Sequence, residues 1–442
     1  MKKQLSLIDE IDLQVPIQSA SDVRGRKITY EPIHVSGSTF LAGLSSEIHR
    51  WFRLTPSFGP DLVHEMLRVL RAKKTDLILD PFSGAGTTGI ESALEGYNSV
   101  GFEINPFLQF VGTISTNWGV DPEAVVGRLR QISEEYPLLR ERVSFETLEA
   151  EGYKIPPIHN PTRWWRPDVL TDLVVLLRCI DEEKSEPDVR NFLRLALAGV
   201  LIPDLTNVTL GRLQLHFINR DTAKIDVFGS FEKHLAKMLD DLRAVRKAMT
   251  GGSAKILLQD STKLGGLKLH QAANCVITSP PYPNRYSYIW NTRPYLYLFG
   301  FLTEASEASD IDKRTIGGTW GTATSELMKG EIAPINDAVA QAVALIVAAI
   351  RKSDNLMANY AMHYFNRLAK QILELESVVA DDARIAYVVG NSWLKGCYVA
   401  TDEILASIVD NLGIGYRVSH IHRFRKRHSG KDLYESIVYA FK

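Results

Sequence analysis

The chain has 442 residues, 45% of them hydrophobic and 23% charged, with a formal net charge of −1. This is a globular composition long enough for two or three domains, or for one domain with large insertions, and its charge balance offers no basic surface overall. No apolar run approaches the roughly 18 residues of a membrane span, and the N-terminus lacks a signal-peptide core.

A cytoplasmic protein without a membrane partner is therefore expected. Cys179, Cys275 and Cys397 show neither metal-ligand nor disulfide spacing, so no metal is expected either. Residues 1–45 are polar and weakly periodic, and read as an N-terminal extension. From Pro60 the pattern becomes helical, placing Leu62, Met66, Leu67 and Leu70 on one face. The chain then reaches Leu77-Ile-Leu-Asp80-Pro81-Phe82-Ser83-Gly84-Ala85-Gly86-Thr87-Thr88-Gly89, an apolar strand ending in an acid, a glycine-rich turn and a helix start. Such a turn faces backbone N–H groups toward a bound ligand. A second short strand ends at Glu103-Ile104-Asn105-Pro106. Glu103 lies seventeen residues past Gly86, near the spacing of about 20 at which a ribose-binding acid follows such a loop.

Residues 116–252 read as a mostly helical insertion. Within it, Arg163-Trp164-Trp165-Arg166 and the segment Thr206–Phe217 interleave aromatics with arginine, a combination that stacks on bases and pairs with phosphates. Tryptophans at a helix start are more often core anchors. Strands resume over residues 253–300: one ends at Asp260-Ser261, and Asn274–Thr278 runs into Ser279-Pro280-Pro281-Tyr282, followed by an aromatic segment from Arg285. Residues 301–379 read as helical. Residues 380–442 carry a buried strand ending at Gly390 and a terminal hairpin. Its basic stretch, 411–431, has no acidic residue and includes Arg417, Arg423, Arg425, Lys426 and Arg427. Strands alternating with helices predict a doubly wound α/β sheet with helical insertions.

Gly84-Ala-Gly86-Thr-Thr-Gly89 matches GxGxxG, which alone would allow an NAD-dependent oxidoreductase. An anionic Asp80 at the strand end repels a pyrophosphate but suits an ammonium group. S-adenosylmethionine has such a group, with ribose and adenine and no phosphates. Asp80 toward its amine, Glu103 toward the ribose hydroxyls and Asp260 toward the adenine amine form a coherent set of acceptors. In Ser279-Pro-Pro-Tyr282 the prolines pin the backbone. Ser279 and the Pro280 carbonyl can accept from an exocyclic amine, and Tyr282 offers a flat surface to a base drawn from its stack.

Taken together, the chain resembles the DNA amino-methyltransferases that act on cytosine N4 or adenine N6. Asp80–Thr88 resembles that family's cofactor motif and Thr278–Tyr282 its catalytic motif. Thr55-Pro56-Ser57-Phe58, followed by Leu62-Val63, resembles the segment that folds over the methionine moiety. Glu103-Ile104-Asn105 and Asp260-Ser261 resemble the next cofactor motifs.

The resemblance implies a Rossmann-like methyltransferase fold with a mixed seven-stranded sheet, S-adenosyl-L-methionine as cofactor and base flipping in double-stranded DNA. Serine before Pro-Pro-Tyr implies cytosine N4 as the acceptor, with adenine N6 the alternative and an RNA amine a further one. A cognate restriction endonuclease is a possible partner, and the 116–252 insertion is the natural place for target recognition or a DNA clamp. Arg285, Arg423, Arg425, Lys426 and Arg427 are the expected DNA contacts, the last four on a phosphate-contacting hairpin.

Overall fold

The computed structural model describes residues 27–30, 46–54, 57–182, 185–211, 214–318, 322–428 and 432–442. Thr55 and Pro56 lie outside the described residues, as do most of the predicted N-terminal extension and the Arg427 side chain. The strands are β1 (Lys27–Tyr30), β2 (Leu77–Asp80), β3 (Asn98–Glu103), β4 (Val208–Leu210), β5 (Leu215–Phe217) and β6 (Ser253–Leu258). They continue with β7 (Ala273–Thr278), β8 (Val379–Gly390), β9 (Ser392–Leu394), β10 (Cys397–Val399), β11 (Arg417–His428) and β12 (Asp432–Phe441).

Eight of these form one sheet in the order β1-β11-β12-β8-β7-β2-β3-β6. Within it only β12 runs against its neighbours. The predicted seven-stranded mixed sheet is present, and Lys27–Tyr30 adds an eighth strand beside β11. A four-residue strand in a polar segment carries too little periodicity to be read from sequence.

The helices before β4 are α1 (Pro60–Val69), α2 (Thr87–Leu94), α3 (Pro106–Ser115), α4 (Pro122–Arg140), α5 (Pro161–Trp164), α6 (Pro167–Asp181) and α7 (Pro187–Asp204). Those after it are α8 (Val227–Ala248), α9 (Tyr288–Leu298), α10 (Glu307–Arg314), α11 (Thr322–Leu327), α12 (Asp337–Arg351), α13 (Asn355–Glu374) and α14 (Thr401–Asn411). The central strands are buried on both faces. Leu77 and Leu79 of β2 enter the core beneath α12 and α13, while Ile78 enters the opposite one beneath α1. Period-two alternation of this kind explains why both faces need apolar residues.

The insertion between β3 and β6 packs its own apolar core onto α3. Trp164 and Trp165, 5% and 0% exposed, are anchors of that core. The strand order reverses between β2 and β7, so the crevice beyond their C-terminal ends is the expected ligand site of such a sheet.

Residues 46–54 reach this crevice as a strap held by two buried carboxylates. Asp241 of α8 accepts from the Ile48 N–H, the Trp51 Nε1–H and the Arg50 guanidinium. Glu91 of α2, 5% exposed, is bonded to His49 Nε2 at 2.5 Å and to His64 Nε2 of α1 at 2.7 Å. Burial disfavours the Glu91 charge, but its bonds to the two histidines prevail and hold its carboxyl down at about 2, while Glu91 in turn raises His64. A lowered acid contributes stability that is present above its ordinary value of 4.5 and is lost as pH falls toward 2. The raised His64 contributes below its ordinary 6.5 and loses that contribution as pH rises through its folded value. The difference in unfolding free energy between wild type and Glu91→Gln should therefore peak near pH 5–6, at about 3 kcal/mol. It should shrink toward both acid and alkaline pH in denaturant titrations.

Candidate active site

The glycine loop connects β2 to α2. Gly84 and Gly86 adopt φ values of 54° and 93°, and a Cβ on Gly86 would lie 3.2 Å from the Gly112 Cα of α3. Glycine is thus required by conformation and by close approach alike. The Gly84 N–H donates to Glu103 Oε2 and the Asn105 N–H to Oε1, each at 2.8 Å, fixing Glu103 at the end of β3 beneath the loop. Burial pushes the Glu103 carboxyl up to about 7, with the nearby Asp80 charge adding to the rise and these backbone donors opposing it.

Asp80, 2% exposed, is placed differently from expectation. It accepts from Thr88 Oγ1 at 2.6 Å, Thr278 Oγ1 at 2.5 Å and the Phe82 N–H at 3.0 Å. It is not among the cavity-lining residues, and neither are Gly86 and Thr88. A carboxylate buried at a strand end takes the donors nearest to it, so Asp80 positions the loop and is not a wall for an amine. Burial raises its carboxyl against the pull of those three donors.

The parallel register Ile78↔Cys275, Leu79↔Val276 brings Thr278 level with the loop, and Ser279-Pro280-Pro281-Tyr282 leaves β7 directly into the crevice. Pairing of Thr278 with Tyr387 then sets Ser279 beside Val388 of β8, whose carbonyl accepts from Ser279 Oγ at 3.1 Å. A hydroxyl has one proton, so this bond turns the Ser279 lone pairs toward other donors. The Pro281 carbonyl accepts from Tyr364 Oη at 2.8 Å and the Tyr282 carbonyl from the Asn284 N–H at 2.8 Å. The Pro280 carbonyl has no partner among the described residues. The Tyr282 ring lies on Gly390, where a Cβ would come within 2.5 Å of Cε2. Glycine at the end of β8 is what admits the ring.

These elements enclose one cavity of about 810 Å³, within the size range of small-molecule sites. Ser57, Phe58, Pro81–Ala85 and Thr87 line one part, Glu103–Asn105 and Gln259–Thr262 another, and Ser279–Tyr282 with Arg285 a third. The stretches predicted from scattered parts of the sequence thus converge.

Asp260 Oδ1 accepts from the Thr262 N–H and hydroxyl, whereas Oδ2 is buried with no partner; the Ser83 hydroxyl is likewise buried and unpartnered. With Glu103 they form a polar wall suited to ribose hydroxyls and a base amine, so the residues present fit S-adenosylmethionine. Sequence reasoning missed Ser392, Trp393 and Phe424, which also line the cavity. They belong to short strands or to core positions and carry no motif.

The basic hairpin departs from expectation. Arg423 donates to Asp402 at 2.9 Å and Glu403 at 2.7 Å, its side chain only 17% exposed, and is a structural cation instead of a phosphate contact. Arg425 is paired with Glu435 on the cavity wall, and Lys426 lies 5.8 Å from the Tyr434 ring centroid. Tertiary contacts supply the acids that the local sequence lacks.

The sheet order and the switch-point crevice fit a Rossmann-like methyltransferase fold. Residues 44–109 match the family model described as DNA methylase, of the N6/N4 kind. The chain is 23% identical to the Type II methyltransferase M.AvaI of Nostoc sp. over 85% of this chain and 80% of that one. It is 21% identical to the Type II methyltransferase M.MvaI of Kocuria varians over 87% and 85%. Among solved structures, the rRNA methyltransferase aviRa of Streptomyces viridochromogenes aligns at 11% identity with a TM-score of 0.31, covering 90% of this chain and 92% of that one. The family model over residues 44–109 and the curated relatives support a likeness to the N4/N6 DNA amino-methyltransferases, for which S-adenosylmethionine is the methyl donor.

Two outcomes follow. Gly390→Ala should displace Tyr282 and lower kcat roughly 100-fold, as misplacement by about 1 Å does, with the cofactor dissociation constant by calorimetry unchanged. Ribose hydroxyls bonded to Glu103 would be held more strongly by its carboxylate than by the protonated acid, so cofactor affinity should rise with pH through about 7. Glu103→Gln should remove that dependence.

Proposed function

We propose that the chain transfers a methyl group from S-adenosylmethionine to cytosine N4 of a base flipped out of double-stranded DNA. The observation that carries this is the Ser279 hydroxyl, held by the Val388 carbonyl so that it faces the cavity as an acceptor. An exocyclic amine donates one N–H to Ser279 Oγ and the other to the Pro280 carbonyl, leaving its lone pair directed out of that plane. When bound, S-adenosylmethionine supplies an electrophilic methyl on a sulfonium. The two oxygens hold the amine in line and stabilise the positive charge that grows on its nitrogen. Tyr282 supports the base, and Arg285 lines the same cavity. Cys179, Cys275 and Cys397 are all buried, so none serves as a covalent nucleophile toward cytosine C5.

The relatives are named Type II methyltransferases, which supports a place in a restriction-modification system with a cognate endonuclease. Serine at position 279 supports cytosine over adenine, through the family resemblance. Nucleoside mass spectrometry and methylome sequencing of DNA from an expressing strain should show N4-methylcytosine in one sequence context. N6-methyladenine instead would correct the acceptor; unmodified DNA, with no labelled methyl transferred in vitro, would overturn the reading. Ser279→Ala should lower kcat by about 100-fold or more, the usual loss for one such polar group, with cofactor affinity retained.

A further inference from the structure

The insertion holds one element that neither the cofactor site nor the catalytic motif uses. β4 and β5 form a two-stranded antiparallel ribbon with Val208↔Phe217, Thr209↔His216 and Leu210↔Leu215 in register. Alternation makes the ribbon two-faced. Val208, Leu210 and Leu215 turn to the insertion core, where Val208 is buried and the two leucines pack against it. Thr209 and His216 occupy the other face, and the Gly211 N–H closes the turn onto the Gln214 carbonyl at 3.1 Å. Gln214 and His216 are exposed. A Cβ on Gly211 would lie 2.0 Å from the His216 ring, so glycine lets that ring lie across the strand. The ribbon is tied down by the Asn207 N–H, which donates to the Trp164 carbonyl at 2.7 Å.

Arginines and aromatics surround its base. Arg163 is exposed and lies 4.0 Å over the Phe217 ring, itself 41% exposed. Arg293 of α9 lies 3.7 Å over Trp290 and 5.2 Å from Trp164, and its Nε is buried without a partner. Neither arginine has a carboxylate partner among the described residues. The two cations contrast with Arg423 and Arg425, which the fold neutralises. The cluster also connects physically to the reaction site: Tyr288 and Ile289, at the start of α9, line the cavity, and Trp290 and Arg293 follow on the same helix. Trp164 meets Phe217 edge-on at 5.1 Å.

We infer that the β4–β5 ribbon reads the DNA around the flipped base, with Thr209, Gln214 and His216 facing base edges and Arg163 and Arg293 pairing with flanking phosphates. A two-stranded ribbon fits the major groove, where glutamine and threonine distinguish bases by hydrogen bonding. Uncompensated arginines give sequence-independent attachment. This inference rests on the DNA-methylation reading and gives it a recognition element.

The test compares the methylomes of strains expressing wild type, Gln214→Ala/His216→Ala and Arg163→Ala/Arg293→Ala. Cofactor binding by calorimetry reports that each variant is folded. In the ribbon variant, discrimination between the wild-type context and single-base variants of it should fall at least about tenfold. In the arginine variant the context should persist while KM for duplex DNA rises about tenfold, with a shallower salt dependence. An active ribbon variant with wild-type context and fidelity overturns the inference and leaves the methylation reading intact. Wild type that leaves DNA unmodified overturns that reading, and the inference falls with it.

Discussion

The interaction on which the rest depends is the buried carboxylate of Asp80. Taking an ionised carboxylate out of water costs several kcal/mol unless donors replace the lost solvent. Here the donors come from three parts of the fold: Phe82 N–H in the loop, Thr88 in α2 and Thr278 at the end of β7. Both threonines are fully buried, so losing the acid would strand their hydroxyls as well. The satisfied arrangement locks the glycine loop to the last residue before Ser279. The glycine loop and the Ser-Pro-Pro-Tyr turn are therefore set at one height by a single group that lies outside the cavity wall.

The second constraint lies one strand further along. Register between β7 and β8 brings Ser279 to Val388 and leaves Gly390 beneath Tyr282. Tyr364 of α13 holds the Pro281 carbonyl from the other side. The proline pair supplies rigidity along the chain, while β8 and α13 supply it across the chain. A strand turn held this way keeps its acceptors in place before any amine arrives, the condition under which such groups are effective.

The cofactor loop, Glu103, Asp260 and the Ser-Pro-Pro-Tyr turn were legible because each is a run of neighbouring residues closing a strand. Strand ends in a doubly wound sheet face one crevice. What was not legible depended on partners distant in sequence. Its own segment leaves Asp80 an open anion, but Thr278 reaches it through the pairing of β2 with β7. Arg423 has no acid in its own segment, yet Asp402 and Glu403 come from the preceding helix. Trp164 and Trp165 carry the same residue types a base-stacking site would use, and burial alone decides that they are core. Thr206–Phe217 stands out by composition, but its two strands do not, because three-residue strands show no period.

Charge gives these differences their consequence. With a net charge of −1, the protein as a whole exerts little attraction on a polyanion, so affinity for DNA must come from cations the fold leaves uncompensated. A guanidinium already held by two carboxylates, as Arg423 is, adds little when a phosphate approaches, since binding would first have to break those bonds. An arginine stacked on aromatic rings is different: the ring faces hold it by dispersion and quadrupole attraction without neutralising its charge. Electrostatics therefore favours placing the proposed DNA-facing surface on the insertion and the first turns of α9 instead of the C-terminal hairpin, where sequence composition put it. There the same helix that lines the cavity with Tyr288 and Ile289 carries Trp290 and Arg293, so the proposed duplex contacts and the cavity wall are held by one element.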